Sequence, residues 1–363
     1  MKNVLVLFGG ESVERDVSVI TGLITLNTID KEKFNGVPVY VDEKGLWFTG
    51  EGLNDISTYK NLDKNLLKRV VLVNGDNTLY LMKGKKLKPL FKVACAINCL
   101  HGGTGEDGSF SGIMKTHKIP FVAPGVLPSA IAMDKETTKY ALKGIGVKTL
   151  PFKVVKSLDE AYKLKIDYPV IVKPARLGSS VGVAVAENKD RFIFAVASAF
   201  RFDDKVIIEP RLSGFTEINC ACYRAENGLK ISECERPIGK TEVLSFEDKY
   251  KSGKRQFPAK IEKCFSDKIK RITGKIYNAF GFSGVIRIDY FLTDNGEIFV
   301  NEINSIPGSM AYYLFCNDME EFGNMLTVLI AQAEKEFSEE GTLTKKFNTS
   351  LLSIKGAKGL KRL

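Results

Sequence analysis

The chain has 363 residues, of which 44% are hydrophobic and 26% charged, proportions of a globular protein with about two or three domains and not of a fibrous or unstructured one. Lys and Arg outnumber Asp and Glu by 53 to 43, but the basic residues are scattered and form no recognisable nucleic-acid-binding module, and small anionic substrates explain the excess equally well. No apolar run approaches the ~18 residues of a membrane span, the first apolar run is too short for a secretion signal, and the seven cysteines show neither CxxC nor zinc spacing; these exclusions predict a cytoplasmic protein with free thiols and no membrane or nucleic-acid partner.

Asn3 to Phe8 reads as a buried parallel strand closed by Gly9-Gly10, and Ser12 or Asp16 can cap a helix whose apolar positions Val17, Ile20, Leu23 and Leu26 fall at helical spacing. A helix N-terminus after a glycine turn suits an anion. Yet no GxGxxG follows Phe8, and Glu14 stands in the loop, where a carboxylate repels a pyrophosphate and can hold an ammonium. Further strands over Val37 to Val41, Leu46 to Phe48, Val70 to Val73 and Val93 to Leu100 make residues 1–122 a doubly wound α/β unit. His101 follows the last of these strands and opens the run HGGTGEDG, at the carboxyl end of the strand, where open α/β sheets place ligands; by itself such a histidine is more often a hydrogen-bonded structural residue.

Pro120 to Pro128 is loop-like, and a helix opened by Ser129 or Asp134 begins a second unit, 123–209. In it the strand YPVIVK runs into a turn from Pro174 to Val183, rich in glycine and serine, and then into the strand VAVA. This is not a P-loop, which leads into a helix, but Gly178 and Gly182 let backbone N–H groups approach phosphates, Ser179 and Ser180 add donors, and Lys173 adds charge. Val206 to Glu209 is a short strand ending in an acid, and Glu217 to Cys222 alternates as a strand of a third unit, 210–340. The polar segment holding Lys249, Tyr250 and Arg255 suits a lid or a plain surface loop. Ile261 to Phe282 and Phe322 to Glu336 read as amphipathic helices, and 341–363 as a basic tail.

The chemistry concentrates between Ser283 and Met310. Val285 to Phe291 and Glu297 to Asn301 read as a hairpin turned by Asp294-Asn295-Gly296. Arg287 and Asp289 share one face of the first strand, while Glu302 and Asn304 share one face at the end of the second. Two carboxylates and an amide suit Mg²⁺ alongside substrate phosphates; the same alternation also fits a hairpin with a solvated polar face.

Taken together, GGESVERDVS, LHGGTGEDG, AMDKETTK, YPVIVKPARLGSSVGV, EPRLSGFTE, DKY, RIDYF and NEINSIPG resemble, in order, the motifs of the D-alanine–D-alanine ligase family of the ATP-grasp superfamily, from Gly9 to about Leu314. The resemblance implies an α/β fold of three domains with ATP between the central and C-terminal ones, and a cytoplasmic homodimer that joins two D-alanines through an acylphosphate for peptidoglycan synthesis. By matching position, Asp289, Glu302 and Asn304 would hold Mg²⁺ (Mn²⁺ can stand in), and Lys135 and Lys173 the ATP phosphates under the Gly178–Gly182 turn. Glu209 and Glu217 would serve adenine and ribose, and Lys249 the transferred phosphate. Glu14 would hold the first substrate's ammonium with Ser179 and Tyr250 as its partners, Arg287 would stabilise the oxyanion, and His101, Gly308, Tyr313 and Leu314 would border the substrates.

This sequence departs from the family at Arg15, where histidine is usual, at Ser111, where glutamine is expected, and at Tyr313, where the family carries a serine for the second substrate's carboxylate. Activation chemistry is complete by this reading, while the acceptor pocket is altered; Tyr250 favours an amine acceptor. A ligase with another amine acceptor and a nucleotide-binding paralogue without turnover are the competing expectations.

Overall fold

The computed structural model describes residues 1–238 and 254–344. Its N-terminal sheet forms around the apolar run that opens the chain. In β1 (Lys2–Gly9) every side chain from Val4 to Phe8 is fully buried, as a strand covered on both faces requires. Then follow α1 (Arg15–Thr28), β2 (Phe34–Val41), β3 (Trp47–Thr49), β4 (Lys68–Leu72), β5 (Thr78–Lys83), β6 (Lys86–Lys92), β7 (Cys95–Asn98), α2 (Ser109–Thr116) and β8 (Phe121–Val122).

The strand order is β6-β5-β4-β3-β2-β1-β7-β8. Only β2, β1, β7 and β8 are parallel; β3 to β6 extend the sheet as an antiparallel meander. The doubly wound α/β unit expected here is present, its sheet parallel at β2, β1, β7 and β8 and mixed as a whole. Short connections allow only antiparallel return, because a parallel crossover needs a dozen or more residues.

The helices cover both faces. Val4, Val6 and Phe8 pack against Leu23 and Leu26 of α1, and Leu5 and Leu7 against Phe110 and Met114 of α2. Neither Ser12 nor Asp16 caps α1: Glu14 is its N-cap residue, without a side-chain cap bond, and the Glu14 N–H donates to Ser12 Oγ at 3.0 Å. Ile20, expected on the apolar stripe, is half exposed and lines the cleft described below.

Next come α3 (Val126–Met133) and α4 (Lys135–Gly144), separated by Asp134, whose carboxylate accepts from the Thr137 N–H at 2.9 Å and caps the second helix. A four-stranded antiparallel sheet follows, built from β9 (Lys153–Val155), β10 (Val170–Pro174), β11 (Ala184–Ala186) and β12 (Val206–Pro210) in the order β11-β10-β12-β9. The helices α5 (Leu158–Lys163) and α6 (Lys189–Ala199) supply Ala161, Phe192 and Val196 to its core.

The last large sheet contains β13 (Phe215–Ala225), β14 (Gly228–Ile231), and, after the short pair β15 (Arg236–Pro237) and β16 (Arg255–Gln256) and helix α7 (Lys263–Phe280), β17 (Val285–Thr293) and β18 (Ile298–Asn304). Its order is β14-β13-β17-β18. Ile286, Ile288 and Tyr290 turn one face of β17 to Ile269, Ile276 and Tyr277 of α7. That leaves Arg287, Asp289 and Phe291 on the other face, by the two-residue period of a strand. Helix α8 (Met319–Gly341) returns to the N-terminal sheet, where Leu326, Leu329 and Ile330 join the core of Val4 and Phe8. All seven cysteines are free thiols.

The angle of α1 depends on a close approach: a Cβ on Gly22 would lie 2.4 Å from Phe8 Cγ. Gly22→Ala should therefore destabilise the protein by about 2 kcal/mol through overpacking, seen as a lower urea midpoint with an unchanged slope.

Candidate active site

The two four-stranded sheets and the segments that follow β1 and β7 border a cavity of about 580 Å³. One wall is the hairpin of β17 and β18. The register pairs Asp289 with Glu302 but Tyr290 with Val300, so Asn301 is the extra residue of a β-bulge. Such a bulge re-aims side chains, and Asn301, Glu302 and Asn304 all line the cavity.

On this wall Arg287 grips Asp289 with two bonds, Nε to Oδ1 at 2.7 Å and Nη2 to Oδ2 at 2.9 Å. Asn304 Nδ2 donates to Asp289 Oδ2 at 3.1 Å. The remaining guanidinium nitrogen, Nη1, donates to the Tyr313 hydroxyl at 3.3 Å. Burial alone would lower the Arg287 pKa; Asp289 and Tyr313 outweigh it and hold the guanidinium charged. Asp289, Glu302 and Asn304 offer only oxygen and amide donors, a set that fits a hard divalent cation completed by phosphate oxygens. Among the described residues no group of three or more His, Cys, Asp or Glu side chains could hold a metal.

The opposite wall carries lysines. Lys135 opens α4, which is tied to the loop after β10 by its N–H donating to Ala175 O at 3.0 Å; its Nζ donates to Leu177 O at 2.6 Å. Burial pushes the Lys135 ammonium below its usual pKa, reinforced by Lys173 and opposed by Glu302 and Glu209. Lys173 reaches Asn301 Oδ1 at 3.4 Å. Glu209, expected to face adenine, is buried between Lys139 and Lys173, each 2.5 Å away. Burial raises its pKa, but the two ammonium groups outweigh that and hold it below the usual carboxylate range. Its carboxylate is therefore engaged by lysines, and the following Pro210, Arg211 and Leu212 line the cavity beside it. Lys139 carries no mark in the sequence, and with it the trio of two ammonium groups and one carboxylate keeps one net positive charge. Glu217 also lines the cavity.

Two strained loops close the third side. Ser179 and Ser180 hold φ of 53° and 59°, followed by Gly182 at 73°, and Ser309, Met310 and Ala311 hold 50°, 53° and 49°. Left-handed backbone in non-glycine residues costs about 1–3 kcal/mol each and persists only where the surroundings over-determine it. Here burial of Met310 and Ala311, with the Ser309 N–H donating to Thr21 Oγ1 at 2.9 Å, supplies that restraint. In the other loop the buried Ser179 hydroxyl donates to Glu14 Oε1. A Cβ on Gly178 would lie 3.1 Å from Glu14 Oε2, so this glycine leaves room for the carboxylate.

Glu14 is buried, and burial first and Glu106 second push its carboxyl pKa up, against the Ser179 bond and His101. His101 connects the two sides: Nε2 lies 2.9 Å from Thr21 Oγ1 and Nδ1 lies 3.3 Å from Glu106 Oε1. Gly308 and Tyr313 line the cavity; Leu314 is buried in the core with Phe322 and does not. Lys249 and Tyr250 lie outside the described residues.

Two antiparallel sheets facing each other across a charged cleft, with a glycine–serine loop at its mouth, define an ATP-grasp fold. Family models described as the D-ala D-ala ligase N-terminus and C-terminus match residues 3–124 and 142–333. The chain is 34% identical to the D-alanine–D-alanine ligase of Thermosipho melanesiensis, over 99% of this chain and 100% of that one. It is 35% identical to the D-alanine–D-alanine ligase of a Sulfurovum species, over 86% and 89%. Among solved structures, the D-alanine–D-alanine ligase of Helicobacter pylori superposes with a TM-score of 0.77 at 27% identity, covering 91% of this chain and 98% of that one. The VanG D-Ala:D-Ser ligase of Enterococcus faecalis superposes with 0.78 at 28%, covering 92% and 99%. The chain belongs to the D-alanine–D-alanine ligase family.

The raised pKa of Glu14 has a signed consequence. A carboxyl that holds its proton more tightly in the folded state destabilises that state as pH rises from the unfolded value, about 4.3, through the folded one. Glu14→Gln keeps an acceptor for Ser179 and removes this cost. Its urea midpoint should exceed that of the parent protein at pH 8, with the difference shrinking at pH 4.

Proposed function

We propose that this protein is an ATP-dependent D-alanine–D-alanine ligase that makes the dipeptide for peptidoglycan precursors. The observation that carries this reading is the convergence on one cavity of an acid for an ammonium, Glu14, two lysines for phosphates, Lys135 and Lys173, and the Arg287–Asp289 wall. No helix among the described residues is long and apolar enough to cross a membrane. The family resemblance supports a homodimer.

Glu14 and Ser179 hold the ammonium of the first D-alanine, whose positive charge stabilises the buried carboxylate. A carboxylate is a poor electrophile, so its oxygen first attacks the γ-phosphorus of ATP and ADP leaves. Lys135 and Lys173 orient the donor phosphates, with the turn from Gly178 to Gly182 placed beside them. Asp289, Glu302 and Asn304 would hold Mg²⁺, which neutralises charge on the phosphates.

The neutral amine of the second D-alanine then attacks the acylphosphate carbonyl. A C–N bond forms, the C–O bond to phosphate breaks, and the nitrogen releases its extra proton. Arg287 Nη1, which gives one N–H to the Tyr313 hydroxyl and none to Asp289, offers its second N–H to the oxyanion. Exclusion of water protects the acylphosphate from hydrolysis. Tyr313 favours a second reading, a ligase whose acceptor is another small D-amino acid, because its ring reshapes the end of the cavity.

ADP release measured over a panel of D- and L-amino acids separates these readings. Turnover with D-alanine alone is expected; dependence on a different partner supports the second reading, and no turnover with any pair indicates a paralogue that binds nucleotide without reacting. Glu302→Gln should lower kcat by about 100-fold or more, the scale of losing one preorganised electrostatic group, while the protein still binds ATP. Undiminished turnover would remove Glu302 from the metal set.

A further inference from the structure

Arg255 is held in the cavity by contacts that the function described so far does not use. Its backbone sits in β16, paired with Pro237 of β15. Its guanidinium carbon lies 4.7 Å from the Tyr313 ring centroid and 5.6 Å from that of Phe257, both within cation–π range. Nη1 donates to Glu235 Oε1 at 3.2 Å and to the Tyr313 carbonyl at 3.2 Å. Glu235 is buried, and Asn219 Nδ2 donates to its other oxygen at 3.2 Å. The side chain is thus pinned by one nitrogen and two rings, while 37% of it stays exposed and it lines the cavity. Nε and Nη2 donate no hydrogen bond among the described residues.

Tyr313 also fixes where this cation lies. Its hydroxyl meets Arg287 Nη1 at 3.3 Å, and its ring carries Arg255. One tyrosine side chain therefore touches both the guanidinium assigned to the oxyanion and a second, preorganised guanidinium, and all three residues line the same cavity. Arg287 is committed to Asp289 by two bonds, whereas Arg255 keeps two N–H-bearing nitrogens, the fork that matches a carboxylate. Resting on the ligase reading, we infer that Arg255 is the anchor for the carboxylate of the second amino acid, and that Tyr313 positions Arg255 and limits the acceptor to a small side chain.

The test compares acceptors that carry or lack a carboxylate, with ATP, Mg²⁺ and D-alanine as donor. D-alanine, D-alaninamide and hydroxylamine each attack the acylphosphate; only the first needs a carboxylate subsite. Arg255→Ala should raise the acceptor KM for D-alanine by about 30-fold, the loss expected from truncating one partner of a hydrogen-bonded charge pair. It should also abolish the preference for D-alanine over D-alaninamide, and should reduce hydroxamate formation far less. Arg255→Lys, which keeps the charge without the fork, should retain part of that preference. An unchanged acceptor KM in Arg255→Ala would overturn the assignment. So would an equal loss with all three acceptors, since that reports a general structural role. If the parent protein itself releases no ADP with D-alanine and hydroxylamine, the ligase reading fails first and the assignment falls with it.

Discussion

The two-bond pair between Arg287 and Asp289 sets the character of the cleft. Both side chains are mostly withdrawn from water, and taking two charges out of water is costly unless each is paired with good geometry. Their positions two apart on one strand put them on one face, and the fork geometry of the guanidinium then fixes their orientation. Everything near them is arranged around that pair. Asn304 takes the outer oxygen of Asp289, and Tyr313 takes the remaining guanidinium nitrogen. The opposite wall follows the same rule with the signs exchanged, since one buried carboxylate, Glu209, sits between two ammonium groups.

The loops beside this wall show how fold and site are coupled. Residues 309–311 adopt left-handed backbone without glycine, which is tolerated because Met310 and Ala311 are buried and Thr21 binds the Ser309 N–H. Thr21 belongs to α1, and α1 is seated on β1 by the close contact of Gly22 with Phe8. His101 ties the same threonine to Glu106, which in turn raises the pKa of Glu14. Packing in the N-terminal sheet thus reaches the end of the cavity formed by the third sheet. The return of α8 to the N-terminal sheet has the same effect, joining the first and last thirds of the chain in one core.

Much of this was legible in the residues. The hairpin from Val285 to Asn304 was readable because β-branched alternation and a Asp-Asn-Gly turn are local signals. Glu14 and Ser179 were both marked, and they do meet. The antiparallel meander was not legible as such: β6 is charged and largely exposed, and β5, although it buries Thr78 and Leu79, runs from Leu79 to Met82 without the polar–apolar alternation that marks a half-buried strand. Glu209 was marked as an acid, but the lysines that flank it were not assigned to it, because nothing in a strand's own sequence says which ammonium will be buried beside it. Leu314 was expected beside substrate and instead packs in the core, since one apolar residue at a loop end suits either place.

What the sequence by itself determined is the order and spacing of chemical groups. Carboxylates and an amide stand at positions 289, 302 and 304, glycines and serines follow a central strand, and Tyr313 stands where the family carries a serine. These follow from short-range rules, the two-residue strand period and the backbone freedom of glycine. Only the tertiary structure decided which charges meet: Lys139 and Lys173 with Glu209, His101 with Thr21, and Arg255 with Glu235 and Tyr313. The physical reason is that a buried ionic or polar group must find a partner wherever packing brings one, and partners separated by tens to hundreds of residues are selected by the assembled sheets and not by the local chain.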